Sequence, residues 1–96
     1  MKVCIGIVSY LPDNKFREIR YERCKKLISQ LNSIFDIQII IIEQNYRDLP
    51  LNGENLIEYK FDEKLGIPKA RQILRKKFLE SNFDYIILFD DDAKVI

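Results

Sequence analysis

The 96-residue sequence contains no histidine, the side chain most often used for acid–base catalysis and metal binding near neutral pH. Imidazole bases and histidine-based zinc sites are therefore excluded for these residues. Cysteine is scarce too: Cys4 and Cys24 lie in different predicted elements and lack the spacing of a paired motif. We expect two buried free thiols rather than a disulfide, as in a reducing compartment, here the cytoplasm.

Long apolar runs and an excess of one charge are also missing. The hydrophobic runs fall far short of the about 20 residues needed to cross a bilayer. The apolar run that follows Met1-Lys2 is too short for a signal peptide. Sixteen basic and 15 acidic residues give a formal net charge of +1, so there is no electrostatic footprint for nucleic acid or an acidic membrane. We expect no membrane span and no nucleic-acid partner.

What remains is the composition of an ordinary globular domain, with 47% hydrophobic and 32% charged residues. A chain of this size buries roughly 60–65% of its unfolded surface, which is enough for one modest core. We therefore predict a single domain over residues 1–96. No internal repeat or low-complexity segment interrupts it.

Hydrophobic patterning predicts the order strand, helix, strand, strand, helix, strand. The strands are predicted over 3–9, 37–42, 56–61 and 85–89, and the helices over about 15–33 and 68–81. This alternation predicts the α/β class, with a three-layer, Rossmann-like, mostly parallel sheet. The third strand has a mixed pattern typical of a sheet edge, whereas the apolar run Tyr85 to Phe89 is typical of a strand buried on both faces.

The first predicted helix has a helical spacing of apolar residues and a candidate N-cap before it. Asp13 or Asn14 would cap its first turn. The inner stripe is predicted to contain Phe16, Ile19, Cys24, Leu27, Ile28 and Leu31. In the second helix, Pro68 suits the first turn, and the inner stripe is predicted to contain Ala70, Ile73, Leu74 and Phe78.

Three predicted strands end in polar residues: Ser9-Tyr10, Glu43-Gln44 and Asp90-Asp91-Asp92. Carboxyl ends of parallel strands meet at one rim of an open sheet, where ligands of such folds bind. Three adjacent carboxylates repel one another and need a counter-charge or open water. A hard divalent cation would satisfy them, and so would a solvated turn. The triplet alone leaves both interpretations open.

A second pair of charges opens the second predicted helix. Lys69 and Arg71 lie in its first turn, where backbone N–H groups and the helix dipole favour anions. A cationic helix start and an acidic strand end on one rim together suggest a diphosphate bridged by a divalent ion. Taken alone, the two cations are more typical of solvated first-turn residues.

The segment Leu65-Gly66-Ile67-Pro68-Lys69-Ala70-Arg71-Gln72, a helix, and then Asp84 to Asp92 resemble the nucleotide-sugar-binding half of GT-A fold glycosyltransferases. In the family-2-like members a glycine and then Ala-Arg-Asn open this helix, and a hydrophobic strand ends in an Asp-X-Asp motif. The ending Ile42-Glu43-Gln44 is similar to the β-1,4-galactosyltransferase branch. The resemblance covers the whole chain. It departs at Gln72, where asparagine is usual, and at Leu11-Pro12, where polar residues are usual.

The resemblance implies a UDP-sugar donor, such as UDP-galactose or a related hexose, and a Mn²⁺ or Mg²⁺ ion that bridges its diphosphate. Asp90 and Asp92 would be the metal ligands, with Asp91 at the variable position. The other positions carried over are Ser9 and Tyr10 for the uracil pocket, Glu43 for uridine, Asp90 for the ribose, and Arg71 (or Lys69 in the galactosyltransferase register) for the diphosphate.

In that family the acceptor site, a later metal ligand and the catalytic acid or base of inverting members follow the Asp-X-Asp motif. Here the sequence ends four residues after it. We therefore expect a donor-binding half without its own catalytic base. We also expect an exposed sheet edge or apolar face, with homo-oligomer formation as its remedy. Two alternatives remain: a non-catalytic, self-associating α/β module, and a phosphoryl-transfer aspartate site of the response-regulator or phosphatase kind.

Overall fold

The computed structural model describes residues 2–47 and 49–93, and within them it has a four-stranded sheet and two α-helices. The elements are β1 (Val3–Tyr10), α1 (Arg17–Ile34), β2 (Gln38–Gln44), β3 (Leu56–Phe61), α2 (Ile67–Leu79) and β4 (Tyr85–Asp90). The predicted element order is confirmed. No predicted boundary differs from the observed one by more than two residues. Neither α1 nor α2 is long and apolar enough to cross a membrane.

All strands pair in parallel, in the spatial order β3-β2-β1-β4. The chain therefore moves outward from β1 to β3 on one side and then crosses back to place β4 on the other side of β1. In open α/β sheets the crevice at such a reversal, beyond the carboxyl ends of the strands, is where ligands bind. The predicted α/β class and the edge position of β3 are both confirmed.

The two faces of the sheet are covered by different helices, which gives three layers. α1 packs on one face with the cluster Ile5, Ile7, Leu27, Ile28, Ile39 and Ile41, and the connection after β2 adds Tyr46 and Leu51. α2 packs on the other face with Cys4, Ile40, Ile42, Ala70 and Leu74. Successive strand residues alternate between these clusters, as the period of a pleated strand requires.

Both cysteines are buried and free, which confirms the prediction of two separate thiols. Cys4 belongs to the α2-face cluster and Cys24 to the α1-face cluster, so the two side chains lie on opposite faces of the sheet. Burial raises the pKa of the Cys24 thiol to about 11 and also raises the pKa of Cys4. Both thiols are therefore protonated and poorly reactive in the folded chain.

The inner stripe of α1 differs from the prediction at its N-terminal end. Phe16 and Ile19 are 52% and 47% exposed, and Tyr21 is buried in their place. Ile19 precedes Cys24 by five positions, which is about 140° around a helix and so on the opposite side. The remaining predicted members of the stripe are buried, and the predicted stripe of α2 lies against the α2-face cluster.

The prediction that Asp13 or Asn14 caps α1 is wrong. The N-cap residue is Phe16, and no side chain caps the helix. The Asn14 side chain instead accepts a hydrogen bond from the Phe16 backbone N–H at 2.8 Å, and the Asn14 carbonyl accepts one from Arg17. Asn14 therefore stabilises the turn that leads into the helix rather than the first helical turn itself.

The prediction that β4 is buried on both faces is also wrong. Within residues 2–47 and 49–93 this strand pairs only with β1, and its other edge is open. Tyr85 and Leu88 are 59% and 62% exposed. An apolar run is typical of a strand inside a sheet, but composition does not say whether a strand has one neighbour or two, and β4 lies at the edge. The expectation of an exposed edge is confirmed.

Candidate functional site

A cleft of about 510 Å³ opens at the reversal between β1 and β4. It lies at the carboxyl ends of these strands and at the N-terminal end of α2. Its floor is apolar, with Gly6, Val8 and Leu74. Its rim is polar, and the rim residues are Tyr10, Arg20, Gln44, Lys64, Arg71, Asp90, Asp91 and Asp92. Opposite charges therefore line one crevice at the place where this topology binds ligands.

A second depression, of about 480 Å³, lies on the outer surface of α1. It is lined by Ile19, Glu22, Arg23, Lys25, Lys26 and Ser29, which all belong to that helix. Long side chains on one convex helix surface do not converge on a common point. This depression therefore lacks the convergent polar groups of a binding site.

The acidic wall of the cleft is the end of β4. Asp90 and Asp92 are exposed and line the cleft, so their carboxylates are available to a ligand. The side chain of Asp91, between them, is only 13% exposed. One of its oxygens accepts a hydrogen bond from the Ser9 hydroxyl at 2.9 Å and lies 3.4 Å from the Arg20 guanidinium. The three carboxylates thus have different environments although they are adjacent in sequence.

The cationic wall is the loop before α2 and the first turns of that helix. Arg71 and Lys64 are both exposed, and both line the cleft. The Lys64 ammonium lies 5.0 Å from the centre of the Tyr10 ring. The helix begins after Gly66, which has φ = 86°, a value that glycine adopts without strain. Lys69 is exposed on the first turn, outside the set of described residues that line the cleft.

Gln44 fastens the cationic wall to the sheet. Its side-chain amide donates to the Ser9 carbonyl at 3.2 Å, and its side-chain oxygen accepts from the Leu65 backbone N–H at 2.8 Å. Gln44 is 2% exposed, so both bonds are largely shielded from water. The amide therefore fixes the loop before α2 relative to the end of β1. The position of Gln44 at a strand end predicts its place on the rim, but nothing in the sequence indicates this bridging role.

Strand alternation decides which rim residues reach the cleft. Ser9 pairs with Glu43 and Tyr10 with Gln44 across β1 and β2. Tyr10 and Gln44 lie on the α2 face, where they line the cleft. Ser9 and Glu43 lie on the α1 face and are 1% and 0% exposed. The structure thus brings together Tyr10, Arg71, Asp90 and Asp92 of the predicted site residues, and it places Ser9, Glu43 and Lys69 outside the open cleft.

Glu43 is a buried acid beside a second one. Within the described part of the chain, both carboxylate oxygens of Glu43 lack a hydrogen-bond partner. One carboxylate oxygen of Glu58 is buried without a partner as well. Burial, and then the charge of Glu58, raise the pKa of Glu43 to about 8, although Lys60 opposes this shift. Glu43 therefore holds a proton at neutral pH.

The acidic wall offers few ligands for a metal on its own. Among residues 2–47 and 49–93, no three histidine, cysteine, aspartate or glutamate side chains are grouped so that they could hold an ion. Asp90 and Asp92 supply hard carboxylate oxygens, the donor type that Mg²⁺ and Mn²⁺ prefer. An ion there would need further oxygen ligands from a bound anion and from water.

Relatives of known function would narrow the choice of ligand. Comparisons of this chain with protein-family models, with curated proteins and with solved structures found no match.

Proposed function

We propose that this cleft binds a nucleotide sugar, a UDP-hexose such as UDP-galactose, together with a divalent cation. On this proposal the chain is the donor-binding half of a GT-A glycosyltransferase. The observation that carries it is the pair of oppositely charged walls at the sheet reversal, with Asp90 and Asp92 on one side and Arg71 and Lys64 on the other. A diphosphate bridged to a cation satisfies both walls at once.

The residues of the acidic wall fit a shared metal site. Asp90 and Asp92 are exposed on the same cleft and give two carboxylate donors, which leaves coordination positions for phosphate oxygens. Ions such as Mg²⁺ are commonly held by one or two carboxylates plus substrate phosphates. A bound Mn²⁺ or Mg²⁺ would neutralise the charge that develops on the departing diphosphate.

The other residues of the cleft suit the remaining parts of such a donor. Arg71 and Lys64 would neutralise phosphate oxygens at the start of α2, where the helix dipole adds to their charge. Tyr10 would offer its ring to the nucleobase beside the Gln44 amide. No residue of the cleft is assigned as catalytic base, so we expect binding without efficient transfer from these 96 residues. The two free thiols favour a cytoplasmic location.

Calorimetric titration of UDP into the chain tests this proposal. We expect binding with Mn²⁺ present and little or none when EDTA replaces the metal, because the acidic wall repels an unbridged diphosphate. UMP, which lacks the second phosphate, is the matched control and should bind at least about tenfold more weakly. Equal affinity for UDP in Mn²⁺ and in EDTA, or no binding in either, would refute the assignment.

A second candidate function is a non-catalytic module that self-associates, and the open edge of β4 favours it. An unpaired, apolar edge strand is a template for pairing with another chain, and Ile87 on this strand is 49% exposed. We then expect a dimer in sedimentation velocity. Ile87→Lys should yield monomers, whereas Leu79→Lys, at an exposed apolar position on α2, should not. A monomeric wild-type chain at its highest soluble concentration argues against this function.

A further inference from the structure

The middle carboxylate of the acidic wall is tied into the interior by a chain of buried hydroxyl groups. Tyr46, in the connection after β2, is 2% exposed and lies 2.5 Å from Ser9, measured between the two hydroxyl oxygens. Ser9 is 1% exposed and donates to Asp91 at 2.9 Å. These polar groups lie beside the apolar cluster on the α1 face, to which Tyr46 itself belongs. Buried polar groups in such surroundings are kept satisfied by one another.

The two hydrogen bonds that link Tyr46, Ser9 and Asp91 both run toward Asp91. A hydroxyl group has one proton, and Ser9 gives its proton to the carboxylate, so the Ser9 oxygen accepts from Tyr46. Burial raises the pKa of Tyr46 well above its ordinary value, and the phenol therefore stays protonated as the donor. Arg20 lies 3.4 Å from the same carboxylate oxygen and adds a positive charge. Ser9 and Arg20 therefore both face the same oxygen of the Asp91 carboxylate.

The anchoring of Asp91 has a consequence for its two neighbours. The Asp91 carboxylate is held against Ser9 and Arg20, whereas Asp90, the last residue of β4, and Asp92, in the turn that follows, are exposed on the cleft. A hydrogen bond from the Ala93 backbone N–H to the Asp90 carbonyl, at 3.1 Å, closes the turn that follows. Without the anchor, three adjacent carboxylates would repel one another into a range of orientations.

We propose that Asp91 is a positioning residue, held by Tyr46 through Ser9, that presents the Asp90 and Asp92 carboxylates to the cleft ligand. The identity of the cleft ligand rests on the proposed function, whereas the hydrogen bonds from Tyr46 through Ser9 to Asp91 do not depend on it. It assigns a role to Ser9, Tyr46 and Asp91 in preorganising the acidic wall, since ligands held in place before binding cost less to order.

Removal of one hydroxyl group tests this inference. We expect Tyr46→Phe and Ser9→Ala each to weaken the affinity for UDP in Mn²⁺ by about tenfold in calorimetry, as the loss of one ordering hydrogen bond would. Tyr21→Phe is the matched control. Tyr21 is also buried and packs edge-on against Tyr46 with ring centres 6.1 Å apart, but its hydroxyl donates to the Pro50 carbonyl instead. This control should keep wild-type affinity.

A conservative change at Asp91 separates positioning from folding. Asp91→Asn keeps an acceptor for the Ser9 hydroxyl, so it should bind UDP in Mn²⁺ more tightly than Asp91→Ala does. Equal loss in the two variants, or equal loss in Tyr46→Phe and Tyr21→Phe, would overturn the positioning role.

A ligand-free measurement keeps this inference apart from the proposed function. Amide hydrogen exchange at Ala93, whose N–H bonds to the Asp90 carbonyl, should be about tenfold faster in Tyr46→Phe than in Tyr21→Phe. If the wild-type chain fails to bind UDP, the proposed function falls and the exchange rates alone decide the anchoring. Unchanged exchange at Ala93 in Tyr46→Phe would overturn it.

Discussion

Raising the pH from about 5 to about 9 is expected to lower the free energy of unfolding by on the order of 4 kcal/mol through one group, Glu43. Its side chain is 0% exposed, and its pKa in the folded chain is raised from 4.5 to about 8. The folded chain therefore keeps a proton that the unfolded chain has already released. Stability is fully present below the ordinary pKa and is lost as the pH rises through the folded pKa.

Each pH unit between the two pKa values contributes about 1.4 kcal/mol. Urea denaturation followed by circular dichroism, repeated across this pH range, measures the slope. Glu43→Gln keeps the shape of the side chain without its charge, so most of the slope should vanish, and the variant should be more stable than the wild type at the alkaline end. Glu80→Gln, at an exposed acid that follows α2, should keep the wild-type slope.

A wild-type slope in Glu43→Gln would show that other groups dominate the pH dependence. Flat stability of the wild type across the same range would show that the buried Glu43 carboxylate ionises without cost in the folded chain.

Loss of a single carboxylate from the acidic wall is expected to have the largest effect on binding. Asp92→Ala should weaken the affinity for UDP in Mn²⁺ by about 100-fold, or roughly 2.7 kcal/mol, since a charged ligand atom is removed. Asp92 is exposed, and no hydrogen bond or ion pair within the described residues ties its carboxylate. Its removal should therefore leave the free energy of unfolding within about 0.5 kcal/mol of the wild type.

The control for Asp92→Ala is Asp62→Ala. Asp62 is exposed after β3, at the same end of the sheet, but is not among the residues that line the cleft. Removal of its charge changes the net charge of the chain equally, so any general electrostatic effect appears in both variants. If the two variants bind UDP in Mn²⁺ equally well, the acidic wall does not hold the ligand.

The fold could be predicted because its signals are local. The apolar runs of β1 and β2 and the helical spacing in α2 indicate alternating strands and helices, and short connections then restrict the topology. The number of strands that pair with a given strand could not be predicted from its sequence. Tyr85 to Phe89 has the composition of a central strand, yet β4 lies at an edge of the described sheet.

The site could be predicted only in part, and alternation explains why. Position at a strand end placed Ser9, Tyr10, Glu43 and Asp90 on one rim, but continuous apolar strands give no sign of which face each residue joins. The register places Tyr10 on the cleft side and both Ser9 and Glu43 in the interior.

The most direct measurement is a crystal structure of the chain grown with UDP and Mn²⁺. We predict the ion between the carboxylates of Asp90 and Asp92 and the diphosphate, with Arg71 against the phosphate oxygens and Asp91 still bonded to Ser9. UDP bound away from the cleft, or a diphosphate in the cleft with neither carboxylate near a metal, would contradict the account.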